Sequence, residues 1–170
     1  MLAPVLVTPP TETPVSLEEA KLHLRVDGDE EDALIVALIN AATGHLDGYT
    51  GILGRCLMPQ TWSQEIEAPV GDLVLPLAPV ASATIAAFTD FRVLQDGRGY
   101  FLRLNDGASW PAGSVVVSFV AGYLDVPAPL TSAILLHIGT LYENRETLAD
   151  KVAPTRAYEA LTMPYRRIGV

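Results

Sequence analysis

The spacing of apolar residues in this sequence changes twice, and each change marks a shift in backbone period. Leu34, Ile35, Leu38, Ile39, Ala42, Leu46 and Tyr49 recur at helical intervals. Between Met58 and Glu67 alternation takes over, with Trp62, Gln64 and Ile66 on one face and Thr61, Ser63 and Glu65 on the other. From Pro129 the helical period returns through Ile134, Leu135, Ile138, Leu141 and Tyr142. A helix with one apolar stripe and a strand with one apolar face both need a layer to pack against. The chain is therefore predicted to be α+β: an N-terminal helix pair, a central small antiparallel β-sheet of hairpins, and C-terminal helices packing with the first pair.

Local signals sharpen the boundaries. Ser16 and Glu19 have the spacing of a capping box, with Val15 and Ala20 placed as a hydrophobic staple. A second helix opens within Asp27 to Asp32, where carboxylates favour the positive end of the helix dipole and Asp29 is the expected cap. Short strands are predicted at Leu73 to Leu75, from Val80 to about Thr89, and from Ser114 to Val120. Phe91 to Gln95 and Tyr100 to Leu104 flank Asp96-Gly97-Arg98-Gly99, a hairpin signal because glycine supplies the positive backbone angles of tight turns. A last helix starts at Pro154, turns Tyr158 and Leu161 inward, and stops before Pro164. The opening MLAPVLVTPP is broken by prolines and reads as an irregular end, without the basic flank of a secretory signal. Tyr165 to Val170 have no partner within the pattern.

With 170 residues the chain is long enough for one domain with a real core, spanning 1–170. Twenty acidic against eleven basic residues, a net charge of −9, oppose a role in gripping nucleic acid. The imbalance is uneven: residues 1–50 hold nine acids and two bases, while 151–170 hold Lys151, Arg156, Arg166 and Arg167 against Glu159. One cysteine, Cys56, excludes an internal disulfide and reads as a small buried residue. No metal or cofactor is expected. His23, His45 and His137 lack ligand spacing, and the acidic run from Asp27 has Asp32 and Leu38 where a calcium loop needs glycine and glutamate. Neither a phosphate-cradling glycine loop nor a nucleophile elbow occurs, so no catalytic residue is assigned and the chain is not expected to be an enzyme. No segment suits a membrane span. Trp62 and Trp110 are expected to anchor the core or its edge, with a subunit interface as the alternative. Tyr165, Arg166, Arg167 and Ile168 crowd together an aromatic ring, two guanidiniums and an apolar side chain, the composition of an interface anchor.

The ordered series PVSLEEAK at 14–21, HLRVD at 23–27, EDALI at 31–35, TG at 50–51 and QTW at 60–62 resembles the head-tail connector proteins of long-tailed bacteriophages and gene transfer agents. These proteins are also called adaptor or head-completion proteins. The resemblance continues through LVLPLAPV at 73–80, WP at 110–111, VSFVAGY at 117–123, VPAPL at 126–130, YENRE at 142–146 and MPYRR at 163–167. It implies a non-enzymatic virion protein that forms a ring, dodecameric by resemblance, between the portal protein and a stopper or other neck and tail proteins. The ring extends the DNA channel, through which DNA passes without specific binding. Localisation would be the neck of the particle, with the bacterial cytoplasm as the site of synthesis. By the same resemblance, 154–170 is a flexible portal-docking tail, with Tyr165, Arg166, Arg167 and Ile168 as its binding residues. Two alternatives stay open at this stage: another neck component such as a stopper or tail-end protein, and a small ligand-binding α+β domain.

Overall fold

The computed structural model describes residues 2–144 and 155–167. In chain order it forms β1 (Val5–Thr8), α1 (Leu17–Leu24), α2 (Asp32–Leu46), β2 (Gln60–Glu67), β3 (Leu73–Val74), β4 (Val80–Ile85), β5 (Phe91–Asp96), β6 (Gly99–Leu104), β7 (Ser114–Ala121), α3 (Ala128–Glu143) and α4 (Arg156–Thr162). A short 3-10 turn, Met163–Tyr165, follows. The α+β class is as expected.

The capping box at α1 is complete: the Glu19 amide donates to Ser16 Oγ at 3.2 Å and the Ser16 amide donates to Glu19 Oε2 at 2.8 Å. That exchange holds the Glu19 carboxyl below its usual pKa, chiefly through the Ser16 backbone bond. The start of α2 differs from expectation. Its cap position is Glu31, without a side-chain cap bond. Lys21 instead takes the Asp29 and Asp32 carboxylates, at 2.8 and 2.7 Å, and so ties α1 to the first turn of α2. The Tyr142 hydroxyl of α3 donates to Glu31.

Ile35, Ile39, Ala42 and Leu46 of α2 bury the predicted stripe against Leu130, Ala133, Ile134 and Ile138 of α3, with Val15, Ala20, Leu53, Leu57 and Tyr158 completing a helical core. Leu38 sits at its margin and Tyr49, beyond the end of α2, is 46% exposed.

The strands are antiparallel, as expected, but they divide into two sheets, ordered β1-β2-β7-β4 and β3-β6-β5. Only β5 and β6 are joined by the tight turn read from Asp96 to Gly99. The longer partnerships are nonlocal: Trp62 of β2 lies opposite Phe119 of β7, Gln64 opposite Val117, and Ile66 opposite Val115. Their apolar faces meet Leu73 and Leu102 of the other sheet, and Leu75 and Leu77 just after β3, in a second core that also holds Cys56. The opening segment, expected to be irregular, contributes β1, which pairs with β2 and leaves all four residues exposed.

The two cores meet along the segment from Asp47 to Leu57. Leu53 and Leu57 face the helices, and Cys56 faces the sheets. Asp47 fixes this segment by accepting from the Leu57 amide at 2.6 Å and from the Gln60 side chain at 2.8 Å. Glycine at 51 lets it fold tightly, since a Cβ there would fall 2.2 Å from the Asp47 carbonyl oxygen.

Candidate functional site

The C-terminal residues gather the groups that the sequence singled out. α4 is capped by Thr155, whose Oγ1 accepts from the Tyr158 amide at 3.2 Å. Tyr158 is buried beside the His137 ring, 5.5 Å away, and His137 in turn stacks on His45 at 5.0 Å. Burial, then the nearby His45, pushes the His137 pKa down, which suits a neutral ring packed between helices.

After the turn at Pro164 the chain does not run free. Tyr165 packs against the helical core, and its carbonyl accepts from Arg55 Nε at 2.6 Å. The Arg167 amide donates to the Leu53 carbonyl at 2.9 Å. These two bonds bracket Gly54, whose φ is +58° and whose missing side chain leaves room for Arg167; a Cβ would lie 3.4 Å from Arg167 Cβ. The expectation that Tyr165 to Val170 lack partners is thus corrected for Tyr165 and Arg167. Their partners lie more than a hundred residues earlier in the chain, where a reading of local pattern has no access to them. Arg166 is exposed, and Ile168 lies outside the described residues.

Trp62 belongs to the sheet core, 8% exposed. Trp110 closes the edge of that core: its Nε1 donates to the Gly71 carbonyl at 2.8 Å, and its ring lies 5.7 Å from Phe88 and 6.4 Å from Phe91.

A cavity of about 530 Å³ opens between the C-terminal turn, Arg55 and the β5–β6 hairpin. Arg55, Arg98, Arg166 and Arg167 line it, with Tyr100 and a single carboxylate, Asp96. Asp96 Oδ1 accepts from the Arg98 amide at 2.8 Å and so shapes the turn. Burial first, and then repulsion from Arg55, lowers the pKa of Arg167. Sequence reading missed Arg55, Arg98 and Tyr100 as members of this site, because nothing in their local spacing links them to the tail. A larger groove, about 670 Å³, runs between Pro9–Pro14 and α2, and the Asp47 carboxylate within it is already occupied by Leu57 and Gln60. Among the described residues no group of three or more His, Cys, Asp or Glu is placed to hold a metal ion, and no helix is long and apolar enough to cross a membrane.

Residues 14–78 match the family described as phage gp6-like head-tail connector proteins. Among solved structures, a chain from the neck of an empty gene transfer agent particle computed with C6 symmetry superposes with a TM-score of 0.80 at 24% identity, covering 99% of this chain and 97% of that one. A chain from the virion of a native gene transfer agent particle gives the same TM-score, identity and coverage. No curated protein sequence matches. The resemblance to head-tail connectors read from the sequence stands, and the fold matches, over nearly the whole chain, that of the chain from the gene transfer agent neck.

Proposed function

We propose that this chain is a structural head-tail connector of a tailed phage or gene transfer agent, and that its copies form a ring between the portal and the next neck or tail protein. The observation that carries this reading is the coincidence of the connector-family match over residues 14–78 with a neck-protein fold across 99% of the chain. The role requires no chemistry, and among the described residues polar groups serve capping at α1, the joint at Asp47 and an open arginine-lined cavity. A ring of about twelve copies, with DNA passing through its lumen, follows from the resemblance. An acidic surface suits a conduit, since like charge keeps DNA from adhering.

Portal docking falls to the C-terminal end. Arg166 is its exposed cation, next to the anchored Tyr165 and Arg167, and Ile168 follows in the sequence. Arg166→Glu combined with removal of residues 168–170 should leave a folded protein that no longer decorates purified heads, and the yield of tailed particles should collapse. Wild-type decoration by that variant would place the portal contact elsewhere. A cryo-electron microscopy reconstruction of the parent particle's neck tests the role itself: density for this chain next to the portal is expected. Density one layer further from the head would favour the second reading, another neck component, which the neck origin of the matched chain also supports.

A further inference from the structure

We infer that the arginine-lined cavity receives the acidic α1–α2 corner of a neighbouring copy of this chain, with Asp27 and Glu30 as the entering carboxylates. The inference rests on the ring reading above and names a contact that would build the ring.

The cavity is cationic in a chain whose net charge is −9. Besides Arg166, which the portal reading uses, Arg55, Arg98 and Arg167 line it with the Asp96 carboxylate, and among the described residues none of these arginines forms an ion pair. Clustered like charges destabilise one another until an anion joins them, and arginine's planar fork suits carboxylates and phosphates alike. Tyrosine and arginine together are the residue types that dominate binding energy at protein interfaces.

The acidic corner supplies the complement. Residues 1–50 carry nine acids against two bases. Lys21 engages Asp29 and Asp32, whereas Asp27 and Glu30 are exposed and make no ion pair among the described residues. The corner leads into the first turn of α2, and the segment bearing Arg55 follows its last turn. The 15 residues of α2 separate the two by about 22 Å. Opposite charges at opposite ends of one rigid helix cannot meet within a copy, but they can meet between copies. Such a contact is head-to-tail, the kind that builds a ring where the rotation between copies closes and an open filament where it does not. A phosphate occupant fits less well, because the overall charge repels DNA.

Arg98 provides the test, because it is exposed at a turn and takes no part in holding the tail. Sedimentation velocity over a concentration series at low salt should show reversible self-association of the wild type, weakening as salt is added. Arg98→Glu, and separately Asp27→Lys with Glu30→Lys, should each weaken it at least tenfold, with unchanged melting. An equimolar mixture of the two variants should restore pairwise association, since the unaltered acidic corner of the Arg98→Glu variant then meets the unaltered cavity of the other. Wild type that stays monomeric throughout, variants that associate normally, or a mixture no better than its components would overturn the inference. So would loss of short-duplex DNA binding in Arg98→Glu with self-association intact, which would make the cavity a phosphate site. The neck reading fails separately: it falls if the protein is missing from purified particles, whatever the association constants.

Discussion

Gly122 ends β7 with φ at +138°, and a Cβ on it would fall 2.1 Å from the Met58 carbonyl oxygen. Backbone, not a flexible side chain, occupies the space. Gly122→Ala should therefore cost about 2–4 kcal/mol in urea unfolding, from a strained angle and a clash that backbone alone can relieve; a loss within error would mean that β7 ends differently. At Asp47 burial outweighs three favourable hydrogen bonds and raises the pKa above its usual 3.8. The folded state then binds a proton more tightly than the unfolded one. Its contribution is fully present below the unfolded pKa and is lost as pH rises through the folded value. Asp47→Asn keeps an acceptor for the Leu57 amide without the charge. The stability of wild type relative to that variant should thus fall as pH rises from below 3.8 through the folded-state pKa; a flat or rising difference in urea melts would contradict the burial of this carboxylate.

Elements differ in how far they were legible. The α1 start could be read because both halves of its capping box lie three residues apart. Ser16→Ala should cost about 1 kcal/mol. Ile35, fully buried between α2 and α3, is the better cavity probe than the half-buried Leu38, and Ile35→Ala should cost roughly 2–5 kcal/mol. Equal small losses from the two substitutions would show the helical core to be misplaced. The alternation at Trp62, Gln64 and Ile66 correctly gave the buried face of β2, but a period of two says nothing about the partner, so the pairing with β7 and the division into two sheets stayed hidden. β1 was illegible for another reason. Prolines at 4, 9 and 10 crowd it on both sides, its four side chains are all exposed, so no alternation shows, and its extended state comes from pairing with β2.

For the whole molecule, sequence indicated the α+β class and the burial of Cys56, and it isolated the C-terminal residues without their docking. Convergence was the missing information: Arg55, Arg98 and Arg167 meet only once the two cores have packed against each other. Cys56 sits inside the second core with its thiol pKa pushed up to about 12, first by burial and then by Asp47. Thiol reagents should leave the native protein unmodified and label it in step with denaturant unfolding; labelling of the native state within minutes would show that the joint between the cores opens. That joint is also where Tyr165 and Arg167 are fastened, through the Arg55–Tyr165 and Arg167–Leu53 bonds on either side of Gly54. A pull on residue 167 therefore enters the molecule at its seam and is shared between helices and sheets, rather than peeling α4 away from one end. Tyr165 and Arg167 are a mooring made fast amidships, so tension applied through them would be resisted by both halves of the fold at once.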